Sequence, residues 1–431
     1  MKASRYNIIF EHNNKKFAFN AFSCALAEID KDFLRILNNC KKIDSYSKDS
    51  ELIKNMKEGQ YIVEDDFDEI EHLKMVNFFG KFNNRRLGLV IAPTLNCNFA
   101  CPYCFERLST EMISAEVQNA LFNLAENAAK GKSDVNVIWY GGEPLIAKEI
   151  IFNMSEKFIN ICRKYGVNYN ASIVTNGYLI DDSVVESMIK ARIQFAQVTI
   201  DGPEDIHNSR RKLRASNESG TFNKIIKNVK KMTTKNVNVS IRVNIDKTNS
   251  SRVEEFLDVL KANHLEKCNV NFGHVRPYTS ACSSITSTCF DTKEYANMDV
   301  KLQSMLNLKK FELSSYPYYP SAKANYCCAD SISSFVIDPK GNMYKCWNDV
   351  GNASRKIGNV LGKGEYFNLL HTQYMFWSPF EFEECKKCNV LPICMGGCPY
   401  EGLKQGKPDC EKWRYNLMDV LKTKCEQEVN V

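Results

Sequence analysis

Eighteen cysteines are spread along a chain of 431 residues whose N-terminal run, MKASRYNIIFEHNNKK, lacks the charged-then-apolar order of a secretory signal. A chain kept in a reducing compartment does not commit thiols to a disulfide framework. The expectation is therefore a cytoplasmic protein whose cysteines bind metal or serve redox chemistry. Composition agrees with a folded domain protein: 44% of residues are apolar and 25% charged, with no apolar run long enough to span a membrane. The net charge of +6 is a weak excess spread over the whole chain, which argues against nucleic acid as a partner. The densest basic run, His207 to Arg214, reads either as a solvated loop or as an anion site. The six histidines include no i,i+4 pair, which excludes a HExxH zinc protease.

Periodicity divides the chain further. Residues 1–84 open with two alternating apolar runs around Asn13 and Asn14, predicting a β-hairpin in a small α+β module. Across 85–280, six β-rich runs (87–95, 135–140, 171–177, 195–202, 239–245 and 269–275) alternate with amphipathic stretches. That pattern predicts parallel βαβ units in a partial (β/α)6 TIM-like barrel, an α/β fold whose chemistry sits at the C-terminal strand ends. A bridging region, 281–325, leads to an irregular, cysteine-rich C-terminal domain, 326–431, that ends in one helix.

Directly after the first barrel strand stands Cys97-Asn-Phe-Ala-Cys101-Pro-Tyr-Cys104. Three thiolates at this spacing can cover one face of an iron–sulfur cube and leave the fourth iron open. The alternative is a three-cysteine zinc site, or chance. After the second strand comes Gly141-Gly142-Glu143-Pro144, where glycines admit a ligand close to the backbone and the carboxylate can accept from an ammonium group, or which is simply a turn.

The cysteine motif resembles the CxxxCxφC signature of the radical S-adenosylmethionine (SAM) superfamily, with Tyr103 at φ. The resemblance implies that SAM chelates the open iron, that Tyr103 lies against the adenine, and that Gly141, Gly142 and Glu143 meet the methionyl amine. Thr175 and Asn176 of Thr175-Asn176-Gly177, and Asp201 of Thr199-Ile200-Asp201-Gly202, are implied ribose and carboxylate contacts. Arg242, with Arg210 or Arg211, is a candidate for the SAM carboxylate, or else forms an ion pair inside the barrel.

Seven C-terminal cysteines resemble the SPASM extension of these enzymes, which carries two auxiliary 4Fe–4S clusters and so brings the implied total to three. The resemblance assigns Cys385, Cys388, Cys394 and Cys410 to a distal cluster and Cys327, Cys346 and Cys398 to a proximal one; zinc is the alternative. Ser321 stands where fully ligated members have a fourth proximal cysteine. Either Cys328, Cys282 or Cys289 substitutes, or that iron is open to a substrate thiol. The remaining cysteines read mostly as buried, inert thiols.

The implied activity is that of a radical SAM oxidoreductase acting on a peptide. It would generate a 5′-deoxyadenosyl radical, abstract hydrogen from a ribosomally made precursor and install a crosslink, foremost a cysteine thioether. Carbon–carbon crosslinking, formylglycine formation of the sulfatase-maturase kind and a non-catalytic iron–sulfur or zinc scaffold are the alternatives. Trp347 stands directly after Cys346, where sulfatase maturases place an aspartate base, and counts against formylglycine. The N-terminal module resembles leader-peptide recognition domains, or is a structural cap. The implied partners are a precursor peptide with its leader and a flavodoxin- or ferredoxin-type reductant.

Overall fold

From the N-terminus, β1 (Lys2–Ala3) leads into β2 (Asn7–His12), which pairs antiparallel with β3 (Lys15–Asn20) and through it with β4 (Ala25–Ile29). The hairpin turn is Asn13-Asn14, with φ of 48° and 59°, a left-handed pair that asparagine tolerates well. This is the hairpin read from the sequence. Helices α1 (Lys31–Asn38) and α2 (Ser50–Glu58) follow, then β5 (Ile62–Val63), which pairs with β1, and α3 (Glu69–Phe82).

The computed structural model describes residues 1–45, 50–214, 220–311, 318–362 and 368–429, so positions 312–317 of the expected bridging region lie outside the described residues. The chain divides into two compact units. The first is Met1–Phe82 with Tyr318–Ser331 and Met375–Val431, and the second is Asn83–Pro317 with Ile332–Tyr374. The cysteine-rich residues 326–431 are thus shared out between both.

In the second unit, the six β-rich runs become β6 (Arg86–Ile91), β7 (Asp134–Trp139), β8 (Tyr169–Thr175), β9 (Ile193–Thr199), β10 (Asn238–Ile245) and β11 (Asn269–His274). Each is parallel to its neighbour in the order β11-β10-β9-β8-β7-β6. The crossovers carry α4 (Ala115–Lys130), α5 (Lys148–Tyr165), α6 (Asp182–Lys190), α7 (Glu204–Arg210), α8 (Phe222–Thr234) and α9 (Val253–Ala262). A mixed α/β fold around a parallel sheet was the expectation. Its core is built from the helix-facing sides of the strands, with Leu89, Trp139, Ile173, Val198 and Ile241 essentially fully buried among α-helical residues such as Phe158 and Phe256.

Beyond the barrel, α10 (Thr292–Leu308) opens on a capping box in which Asp291 and Glu294 satisfy each other's backbone amides. Strands β12 (Ser334–Ile337), β13 (Asn342–Tyr344) and β14 (Gly358–Asn359) then extend the sheet past β6 to nine strands. After α11 (Leu369–Phe376), the first unit resumes with short helices α12 (Glu383–Lys386), α13 (Leu391–Cys394) and α14 (Pro399–Gln405), closed by α15 (Trp413–Val429). Among the described residues no helix is long and apolar enough to cross a membrane.

Candidate active site

A cavity of about 370 Å³ opens at the C-terminal ends of β6 to β11. Cys97, Cys101 and Cys104 lie in its wall, carried by the loop that follows β6. Burial pushes the Cys97 thiol up to about 11 and the Cys104 thiol to about 12, and raises Cys101 as well. Such thiols stay protonated at neutral pH unless a metal claims the thiolate.

Gly141 and Gly142 line the cavity after β7. A Cβ on Gly141 would stand 2.3 Å from the Thr94 carbonyl, and one on Gly142 2.4 Å from that of Asn96, so only glycine lets this turn lie against the cysteine loop. Glu143 is fully buried and absent from the cavity wall. Its carboxylate accepts from the Thr175 hydroxyl (2.7 Å), the Asn176 amide (2.7 Å) and the Leu145 amide (3.1 Å), tying the end of β8 to the glycine turn. It is the backbone at Gly141 and Gly142, not the carboxylate, that faces the cavity. Thr175 and Asn176 do line it.

Asp201 is also fully buried and off the cavity wall. It accepts from the Tyr103 hydroxyl, from the Asn244 amide at 3.0 Å and from Arg210 Nε at 3.5 Å, fixing the aromatic of the cysteine loop to the end of β9. The basic run at 207–214 is not a solvated loop at its start: His207, Arg210 and Arg211 are all buried. Arg210 is consumed by both oxygens of Asp246 at 2.8 Å and by Thr248 at 2.6 Å. Arg211 reaches the cavity instead. Its Nη1 donates to the Tyr103 hydroxyl at 2.6 Å, while its Nε is buried without an acceptor. Arg242 joins it on the wall, oriented by Asn244 (3.2 Å) and Asn271 (2.6 Å).

Three further wall residues escaped the sequence reading. Glu106 lies two positions after Cys104, with both carboxylate oxygens buried; burial raises it to about 7, against a lowering contact with the Tyr140 hydroxyl. Tyr140, directly before the glycines, packs edge-on against Trp347 at 4.4 Å, and Tyr278 follows β11. The available signal was the nearness of Tyr140 and Tyr278 to the ends of β7 and β11, and of Glu106 to the cysteine motif.

The buried thiols, the glycine turn and the unsatisfied Arg211 donor fit an iron–sulfur cluster beside a ligand that carries a carboxylate. Among the described residues no three His, Cys, Asp or Glu side chains gather tightly enough for a single metal ion.

Residues 91–260 match the radical SAM superfamily. This stretch is a radical SAM domain. Its cofactors are SAM and a 4Fe–4S cluster, and the chain is an enzyme. A cysteine-type anaerobic sulfatase-maturating enzyme of Clostridium novyi (strain NT) is 26% identical over 348 residues, covering 73% of this chain and 88% of the relative. Two solved structures share the fold. The anaerobic sulfatase-maturating enzyme anSMEcpe with bound AdoMet has a TM-score of 0.58 at 21% identity, over 78% of this chain and 99% of that one. Streptococcus suis SuiB bound to the precursor peptide SuiA has a TM-score of 0.55 at 17% identity, over 95% of this chain and 98% of that one.

The C-terminal cysteines fall in both units. Cys385, Cys388, Cys394 and Cys410 line one small cavity of the first, where burial raises Cys385 to about 12 and the other three thiols add to the shift. Cys327 and Cys398 belong to the same unit, and Cys346 to the second. Of the proposed substitutes, Cys328 lies hydrogen-bonded beside Cys327, while Cys282 and Cys289 pack near Tyr103 and Phe105 in the barrel unit.

Proposed function

We propose that the enzyme is a peptide maturase that abstracts hydrogen from a ribosomally made precursor and installs a crosslink, foremost a cysteine thioether. The observation that carries this reading is a cysteine-walled cavity in a radical SAM domain whose wall is otherwise largely aromatic, with Phe105, Tyr140 and Trp347, and holds the buried carboxylate of Glu106. Relatives whose names refer to protein maturation, and a similarly folded chain bound to a precursor peptide, support a peptide substrate.

When bound, cluster and SAM supply hydrogen-atom abstraction. The chain's own residues do the rest. Cys97, Cys101 and Cys104 hold the cluster, Arg211 and Arg242 take the SAM carboxylate, and the Gly141-Gly142 backbone takes its amine. Tyr103, pinned by Asp201 and Arg211, orders the loop between the cysteines. Thioether formation would break one C–H bond, its hydrogen atom passing to the 5′-deoxyadenosyl radical, and one S–H bond, its proton leaving to solvent, and would form one C–S bond; accepting the remaining electron is the chemistry that auxiliary clusters would supply. Cys385, Cys388, Cys394 and Cys410 would hold the distal one, and Cys327, Cys346 and Cys398 the proximal one, with its fourth iron open to a substrate thiol or ligated by Cys328, Cys282 or Cys289. Residues 1–84 receive the leader as an added strand on the β2-β3-β4 sheet, and a flavodoxin- or ferredoxin-type protein in the cytoplasm supplies electrons.

A second reading, formylglycine formation, is favoured by the sulfatase-maturase similarity and opposed by Trp347, an indole on the cavity wall where that reading needs a base. Mass spectrometry of a precursor encoded beside the gene, after anaerobic incubation with SAM and reductant, separates the two. A crosslink loses two hydrogens and keeps its sulfur, whereas formylglycine made from cysteine loses the sulfur. An unchanged peptide with SAM still cleaved would refute the substrate assignment.

A further inference from the structure

The small cavity in the first unit brings its four cysteines together with two charged side chains of opposite sign. Among the described residues lining it, Arg414 is the one cation and Glu384 the one acid. Arg414 stands in the first turn of α15, four residues after Cys410, and its Nη1 donates to the Cys388 sulfur at 3.7 Å. Glu384 directly precedes Cys385.

We propose that Arg414 sets the reduction potential of this site, raising it through its donor to Cys388, and that Glu384 on the same wall opposes it. The inference rests on the reading of Cys385, Cys388, Cys394 and Cys410 as ligands of a 4Fe–4S cluster. Reduction adds one electron and no proton, so a nearby cation and a donor to sulfur stabilise the reduced form, and a nearby carboxylate destabilises it. The guanidinium is solvent-exposed, and its influence therefore weakens as salt rises. Arg414 is a positioning and tuning residue that acts through Cys388.

The test is an anaerobic potentiometric titration of the reconstituted full-length enzyme with dithionite, followed by electron paramagnetic resonance. The midpoint of this site is the one that disappears in a Cys385→Ala/Cys388→Ala variant. In Arg414→Gln that midpoint is expected to move negative by about tenfold in the reduction equilibrium, which is about 59 mV for a one-electron couple. In Glu384→Gln it moves positive, and Arg414→Lys, which keeps the charge but not the fork, falls between wild type and Arg414→Gln. Should Arg414→Gln fail to hold iron, the lysine and Glu384→Gln variants still report the two signs. Midpoints that stay fixed, or that move the same way in the arginine and glutamate variants, overturn the proposal. Full iron in the double cysteine variant would instead overturn the cluster assignment beneath it.

Discussion

Arg210 and Arg211, adjacent at the end of α7, meet different surroundings. Arg210 is spent on Asp246 and Asp201, and Arg211, on the cavity wall, keeps a buried Nε–H without an acceptor. Losing a charge-assisted hydrogen bond costs about 1.5–3 kcal/mol, so Arg211→Met should raise the Kd for SAM roughly tenfold to a hundredfold. Arg210→Met leaves Asp246 buried without its partner and should lower Tm first. Equal SAM affinity in wild type and Arg211→Met would remove that residue from the site. His371 gives a pH test. It is 2% exposed, and burial, helped by Lys345, lowers its pKa to about 4. The unfolded chain takes up this proton near pH 6.5 and the folded one only near 4. Its stability contribution is therefore complete above pH 6.5 and is lost on acidification, at about 1.4 kcal/mol per pH unit across that window. Urea melts of wild type and His371→Phe between pH 7 and 4 should diverge in slope accordingly; parallel slopes would contradict the assignment. At this scale the sequence showed which residues sit at strand ends but not which way they point. Glu143 and Asp201 read as cofactor contacts because a carboxylate after a strand could face either side, and backbone amides and Tyr103 turned out to claim them.

The strands of the barrel were legible because buried β-branched runs separated by amphipathic stretches leave few alternatives. Helix α10 was not read from the cysteine-rich half, although Asp291 and Glu294 are a helix-start signal at the right spacing. The short helices around the distal cysteines carry too little periodicity to be read, because their geometry is set by close contacts between loops. Gly397 is the clearest of these. It bridges to Asp409, has φ of +76°, and a Cβ there would stand 1.6 Å from the Asp409 carbonyl oxygen. This contact lays the Cys394–Cys398 turn beside Cys410. Gly397→Ala demands both a left-handed alanine, costing about 1–2 kcal/mol, and a displaced backbone. The expected result is a lower Tm together with loss of about four irons, one cubane. Full iron retention in this variant would show that the two segments need not touch to bind a cluster.

At the scale of the molecule, the linear order of the chain hides how it is divided. Reading along the sequence yields an N-terminal module, a barrel and a C-terminal domain. By contrast, the compact units join residues 1–82 with 318–331 and 375–431, and return 332–374 to the barrel sheet through β12, β13 and β14. Non-local pairing of this kind leaves no mark in local periodicity, whereas cysteine spacing survives it because each ligand set is anchored by short motifs. The two sets that gather within a single unit, Cys97/Cys101/Cys104 and Cys385/Cys388/Cys394/Cys410, should therefore be separable by mutation. On the proposed reading of three cubanes, the reconstituted enzyme would hold about twelve irons. Replacing Cys97, Cys101 and Cys104 by alanine should remove about four irons and abolish SAM binding. Replacing Cys385 and Cys388 should also remove about four, while SAM binding and its reductive cleavage by dithionite persist. Iron and sulfide assays with SAM titrations on both variants check this. If the Cys385/Cys388 variant loses SAM binding along with its iron, the two ligand sets are not independent, and the assignment of the distal cysteines to an auxiliary electron acceptor fails.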